Sequence, residues 1–281
     1  MWRVGPRSVG AAMRPALRSV RHEMIVKDVF QNGSMSIPDL ARLLNVSEVT
    51  VRRDLDELDK TKAIERVRGG ARRPSPKGPE PSIVQRQMAQ VAEKYAIGQA
   101  AASLVEDGEV IAILSGSTPQ QAASSIGRRR WANLLVVTNG LMICQELIRT
   151  PGIRLVLIGG NVYPDELGTF GVLAVDMVKS MRVHRLLTGC RGIDPATGTS
   201  NDLGADPEVA LVRALANASD QVIVMADHTK LGSAFLIPAL PVDDIDVLVT
   251  DAGAPASMLE RFSEKDIRLV VAPLAQQEPP G

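Results

Sequence analysis

The first hydrophobic rhythm of the chain is helical. Met24, Ile25, Val29 and Phe30 recur at three- and four-residue steps, and Gly33 stops the segment. Ser36-Ile37-Pro38-Asp39 predicts a second helix start. Ser36 suits the N-cap, Pro38 suits a position whose N–H has no partner, and Asp39 suits the positive end of the helix dipole. Leu40, Leu43 and Leu44 give this helix one apolar face, and Asn45-Val46 makes a turn. Ser47 caps a third helix, in which Val51, Leu55 and Leu58 form a stripe that must be buried. Val49, Thr50, Arg52 and Arg53 then face solvent. Two short helices, a tight turn and an outward basic face describe a helix-turn-helix. The following Ile64–Arg73 stretch sets Arg66, Arg68, Arg72 and Arg73 around Gly69-Gly70, the pattern of a basic hairpin wing.

The rhythm changes after Pro74–Pro81, which holds four prolines in eight residues and reads as a semi-rigid boundary. One helix is predicted from about Ser82 to Val105. Short apolar runs then alternate with helical patterns. The strands expected are Val110–Leu114, Leu134–Thr138, Arg154–Ile158, Arg185–Gly189, Gln221–Ala226, Asp246–Thr250 and an edge strand, Arg268–Ala272. The helices between them are Pro119–Ile126, Leu141–Arg149, Ala174–Met181, Asp206–Ala218 and Pro255–Phe262. Continuous apolar strands separated by helices predict a mostly parallel, doubly wound α/β sheet covered on both faces. The organisation expected is a basic extension (1–20), a winged helix-turn-helix (21–73), a Pro-rich linker (74–81), an α/β domain (82–274) and a disordered tail (275–281).

Composition narrows the class. Of 281 residues 45% are hydrophobic and only 3% aromatic, so the chain is globular with an aliphatic core. No apolar run approaches the ~20 residues that cross a bilayer. Cys144 and Cys190 stand far apart, which is neither a disulfide framework nor a zinc cluster, and a reducing cytoplasm is expected. The zero net charge hides an asymmetry: residues 1–80 hold 16 basic and 10 acidic side chains, residues 81–281 hold 16 and 22. A basic first third points to a polyanion partner. Arg3, Arg7, Arg14 and Arg18 without an acid read as a basic arm or an over-long start before Met13, with a transit peptide as the alternative.

The candidate chemistry falls in two places. Ser47, Glu48, Thr50, Arg52 and Arg53 on the third helix, with Arg66 and Arg68 on the wing, are the expected contacts to double-stranded DNA. In open α/β sheets, ligands bind beyond the carboxyl ends of the strands. There the chain places Ser115, Gly116, Ser117 and Thr118, then Asn139, Gly160, Arg191, Asp227 and Lys230. Hydroxyls, a helix start, an arginine and a lysine at one rim predict a pocket for a small anion. G-x-S-x-G, a Walker A loop and H-E-x-x-H are absent, and His22, His184 and His228 are the only histidines. No catalytic residue, metal ligand or cofactor is expected.

These residues carry a resemblance. Val46-Ser47-Glu48-Val49-Thr50-Val51-Arg52-Arg53-Asp54-Leu55, Arg66-Val67-Arg68-Gly69-Gly70-Ala71, Ser115-Gly116-Ser117-Thr118, Val137-Thr138-Asn139, Gly159-Gly160, Gly192-Ile193-Asp194 and Ala226-Asp227-His228-Thr229-Lys230-Leu231-Gly232 resemble DeoR-type bacterial transcriptional regulators. The resemblance runs from about Arg21 to Val271. It implies a winged helix on a sensor domain with the fold of sugar-phosphate isomerases. It implies operator DNA as partner, a homo-oligomer (dimer or tetramer), and release by a phosphorylated sugar or polyol. Leu114 and Cys190-Arg191 depart from the usual Asp and Ala-Asp, and Gly198–Ala205 departs from the common Thr-Thr-Pro-Asn-Leu-Glu, while Glu208-Val209 return to it. Two carboxylates exchanged for one arginine predict a more positive pocket. The effector is then more anionic or differs in its hydroxyl pattern, or the pocket no longer governs DNA binding. The alternatives are an isomerase-like enzyme with a DNA-binding appendage, and a constitutive DNA-binding protein.

Overall fold

The computed structural model describes residues 18–32, 34–60, 64–72, 82–202 and 204–273. The chain divides into two compact units, residues 1–76 and 77–281. Gly33, Arg73, the Pro-rich linker, the C-terminal tail and nearly all of the basic extension lie outside the described residues.

The first unit runs α1 (Arg18–Asn32), β1 (Ser34–Ser36), α2 (Ile37–Leu44), α3 (Glu48–Lys60), β2 (Glu65–Val67) and β3 (Gly70–Arg72). Its three strands form an antiparallel sheet in the order β1-β3-β2. The expected caps form: Ser36 accepts the Asp39 amide at 3.2 Å, and Ser47 accepts the Thr50 amide at 3.2 Å. Asn45 takes a left-handed φ of 51° between α2 and α3. Ile25, Val29, Ile37, Leu40, Val51 and Leu55 close the core, and Ile64 and Ala71 join it from the wing. The wing needs both its glycines. Gly69 has φ +88° in the turn, and a Cβ on Gly70 would lie 2.2 Å from the Met35 carbonyl oxygen of β1.

One polar knot sits in this small core. Asp54 of α3 is buried and takes a forked pair from Arg21 of α1, Nε to Oδ2 at 2.8 Å and Nη2 to Oδ1 at 3.0 Å. His22 Nε2 lies 3.2 Å from the same carboxylate. The hydrogen bonds that Arg21 donates to Asp54 hold its pKa above the ordinary value.

The second unit begins with α4 (Ile83–Gln87) and α5 (Val91–Ser103). This corrects the single helix expected from Ser82 to Val105. The break falls at Gln90, whose φ is +51°. The alternation then proceeds as β4 (Val110–Ile113), α6 (Ser117–Gly127), β5 (Leu134–Thr138), α7 (Leu141–Leu147) and β6 (Ile153–Leu157). A hairpin follows, β7 (Asn161–Tyr163) and β8 (Gly168–Phe170), and then α8 (Val172–Val178) and β9 (Val183–Gly189). After β10 (Gly192–Asp194) and β11 (Gly198–Asn201) come α9 (Asp206–Asn217), β12 (Ser219–Met225) and β13 (Ile237–Pro238). The chain closes with β14 (Val247–Asp251), α10 (Ala256–Ser263) and β15 (Arg268–Ala272).

Seven parallel strands make one sheet in the order β15-β14-β12-β9-β4-β5-β6. Both faces are buried, as continuous apolar strands require. Ile111 and Ile113 of β4 pack with α5, α6 and α7. Ala112 and Leu114 point the other way and pack with α8, α9 and α10. Strand order reverses between β4 and β9, so the loops after those two strands diverge and leave a crevice. The hairpin β7–β8 and the small sheet β10-β11-β13 were not expected from the sequence, because their strands are two to four residues long.

Replacing Asp54 with Ala removes the forked pair that Arg21 makes at the edge of the core. The expected loss is about 2–3 kcal/mol, below the ~3–5 of a fully buried pair because Arg21 keeps some solvent. Urea denaturation of the full chain, read with hydrogen exchange in α1, measures it. Unchanged protection of α1 would show that the knot contributes nothing.

Candidate functional site

The outer face of α3 carries the residues expected to meet DNA. Val49, Arg52 and Arg53 are exposed, Ser47 and Glu48 also, and Thr50 is half-buried. They are not equivalent. Arg52 reaches Glu48 at 3.2 Å, one helical turn away. Arg66 of the wing donates to Asp56 of α3 at 2.6 Å and to the Arg52 carbonyl at 3.2 Å, which ties the wing to the helix. The Ser47 and Thr50 hydroxyls lie 2.9 Å apart. Among the described residues Arg53 and Arg68 are the members of the set with no ion pair or hydrogen bond of their own. Arg68 sits at the tip of the wing, beside Gly69.

In the second unit a cleft of about 200 Å³ opens where the strand order reverses. Its floor is the Ser115–Pro119 loop after β4, with Gly189, Cys190 and Arg191 after β9. Asp227, Thr229 and Lys230 follow β12, Asn201 ends β11, and Glu208 comes from α9. Gly116 is the N-cap of α6 with φ 156°, and no side chain caps that helix end. A Cβ there would meet Pro119 at 3.0 Å. The first amides of α6 thus have no side-chain cap, at the positive end of the helix.

The remaining wall comes from the broken helix. Gln85, Arg86, Ala89, Gln90 and Lys94 line the cleft, and none of them was expected there. Lys94 is 5% exposed and donates to the Arg86 carbonyl and to Ala89 O at 2.6 Å. It therefore satisfies the carbonyls that the break between α4 and α5 leaves open. Burial lowers its pKa below the ordinary lysine value; Asp227 opposes this, and Lys230 and Arg86 reinforce it. Four cationic and two acidic side chains line the cleft.

Arg191 is 7% exposed and held on two sides. Its Nε lies 2.6 Å from Asp202 Oδ2, and its guanidinium stacks 4.8 Å from the centre of the Phe235 ring. Asp202 partly offsets the positive charge predicted from Arg191. Leu114, the other departure, is buried in the core and lines no part of the cleft.

Two expected pocket residues lie outside the lining. Asn139 is fully buried and holds the floor from beneath: its Oδ1 accepts the Ser115 amide at 2.8 Å, and its Nδ2 donates to Ser115 Oγ and to Thr169 O. Gly160 packs against the Phe170 carbonyl. His228 turns from the cleft to Asp251, with Nδ1 2.8 Å from Oδ2. His184 Nδ1 accepts the Val110 amide at 2.9 Å. No group of three or more metal-ligating side chains occurs among the described residues, and no described helix is long and apolar enough to cross a membrane.

Both halves match one family. Residues 21–77 match the DeoR-like helix-turn-helix domain, and residues 89–252 match the DeoR C-terminal sensor domain. The chain belongs to the DeoR family of transcriptional regulators. Over 252 residues it is 31% identical to the uncharacterized HTH-type transcriptional regulator YgbI of Escherichia coli K12, covering 90% of this chain and 97% of that one. It is 30% identical to the glycerol-3-phosphate regulon repressor of the same organism, over 89% of this chain and 97% of the relative. Among solved structures, ribose 5-phosphate isomerase A from Neisseria gonorrhoeae is similar at 17% identity and a TM-score of 0.36, over 49% of this chain and 52% of its own.

In this DeoR-family chain the cleft floor depends on Asn139. Asn139→Ala removes three hydrogen bonds and takes its partner from the part-buried Ser115 amide, a cost of about 1–3 kcal/mol. Binding of inorganic phosphate should weaken more than tenfold, while the α3 face is untouched. Calorimetry and a thermal melt on one preparation check both; full phosphate affinity in the variant would detach Asn139 from the site.

Proposed function

We propose that this regulator is a repressor of carbohydrate-metabolism genes that a phosphorylated sugar or polyol releases from operator DNA. The observation that carries the reading is the cleft. An uncapped helix start and buried cations converge there, on the same chain as a DeoR-like helix-turn-helix. A phosphoryl group suits the α6 amides and Lys230, and the hydroxyls of a sugar or polyol suit Ser117, Thr118, Asn201 and Glu208. The glycerol-3-phosphate regulon repressor, by its name, belongs to the same chemistry.

On the DNA side, α3 enters the major groove, and the wing lies on the backbone. Ser47 and Thr50 bond phosphates or base edges, with Glu48 and Arg52 beside them and Arg66 bracing the wing. Arg53 and Arg68 supply the cations without protein partners. A homo-oligomer in the cytoplasm presents two or more such units to repeated half-sites. The effector binds without being turned over. It must favour one of two states of the protein, because equal affinity for both shifts nothing.

Fluorescence anisotropy on the DNA upstream of its own gene, titrated with sugar and polyol phosphates, tests the switch. The expected outcome is specific binding that one phosphate relieves. Binding untouched by every phosphate would leave a constitutive DNA-binding protein, and consumption of the phosphate would make it an enzyme.

The two arginines should separate in the same assay. Arg53→Ala should cost about 1–3 kcal/mol on the operator and relax its sequence preference, as for a fork onto guanine. Arg68→Ala should weaken all sequences alike and lower the salt slope by about one, as for a phosphate contact. Identical behaviour of the two variants would refute this division.

A further inference from the structure

Arg191 introduces a second anion-directed feature into the cleft, distinct from the helix start. The α6 amides and the lysines are point donors, suited to the many oxygens of a phosphoryl group. Arg191 is a planar fork stacked on Phe235, with Asp202 as an ion-pair partner beside Nε that makes no hydrogen bond to it. A fixed planar fork matches a planar carboxylate. The two features stand after β4 and β9, which are neighbouring strands. Both features line the same cleft of about 200 Å³, so one small ligand can meet both.

We infer that the effector is a phosphorylated sugar acid, with its phosphoryl group at the start of α6 and its carboxylate on Arg191. This rests on the reading of the cleft as a sugar-phosphate site and names the second group that the site takes. Arg191 is then the specificity-determining residue. It separates a sugar acid phosphate from the aldose phosphate of the same length, which offers only a neutral carbonyl or hydroxyl there.

Calorimetry on the full-length chain tests it. The probes are four-, five- and six-carbon aldonate phosphates, each paired with its aldose phosphate, with a hexose bisphosphate and inorganic phosphate alongside. At least one aldonate phosphate should bind about tenfold or more tighter than its aldose partner, the worth of one charge-assisted hydrogen bond. Arg191→Ala should erase that difference, and the lost positive charge should weaken the aldose phosphate and inorganic phosphate by a common smaller factor. Arg191→Lys keeps the charge beside Asp202 and loses the fork and the stack on Phe235, so it too should lose most of the preference, with a cooperative thermal melt as the check that the variant is folded. Equal binding of acid and aldose phosphates by the wild type overturns the inference while the phosphate site stands. A preference for the bisphosphate overturns the carboxylate assignment. No binding of any phosphate, inorganic phosphate included, removes the sugar-phosphate reading as well.

Discussion

The cleft exists because seven parallel strands are buried on both faces. A parallel sheet can be covered only by crossover helices, and consistently right-handed crossovers put helices on one face until the strand order turns back. Here the chain builds outward through β5 and β6, then returns to the other side of β4 with β9. The helices α5, α6 and α7 cover one face, and α8, α9 and α10 the other. No crossover connects β4 directly to β9, because β4 leads through α6 to β5 and β9 is reached from β6 through the β7–β8 hairpin and α8. The loop after β4 and the loop after β9 therefore lie open at their carboxyl ends. Everything polar in the site hangs from that geometric necessity.

Charge in the site is managed rather than merely accumulated. Lys94 gives hydrogen bonds to two main-chain carbonyls, and Arg191 faces Asp202. Arg86 is paired with Glu166, and Asp227 accepts the Thr229 amide at 3.1 Å and its hydroxyl. Each buried charge is tied to its own scaffold, which fixes its position before a ligand arrives. The α3 face follows a different rule. Arg52 and Arg66 are neutralised by Glu48 and Asp56, so the basic pattern of the sequence overstates the charge offered to a polyanion.

Most of the fold was legible in the sequence. Leu134–Thr138 and Arg268–Ala272 were read at their observed limits, since runs of aliphatic residues bounded by polar loops leave little choice. The caps at Ser36 and Ser47 were equally plain, because few residues serve that role. The break at Gln90 was not. Ser82 to Val105 has a continuous helical pattern, and the break is met by a lysine side chain that bonds carbonyls five and eight residues earlier in the chain. Local periodicity contains no trace of that contact. For the same reason the cleft wall from Gln85 to Lys94 was missed, while the floor, Ser115 to Thr118, was found. Asn139 shows the converse error. A polar residue at a strand end reads as a ligand contact, yet it can equally face inward and hold the loop that makes the contact.

The missed wall matters most for how a ligand is felt. Helix α4 is the first described element after the residues that join the two units in sequence. Its tethers include the Ile83 amide to Asp165 O at 2.8 Å, Gln87 to Met142 Sδ at 3.5 Å, Arg86 to Glu166, and Lys94 to the Arg86 carbonyl. Two of these involve residues of the cleft itself. An anion that draws on Lys94 or Arg86 competes directly with bonds that fix α4. A ligand whose contacts differ between two arrangements of α4 shifts the balance between them, and one with equal contacts in both shifts nothing. A site built wholly from the floor loops would bind the same anion and have no such handle on the chain that precedes it.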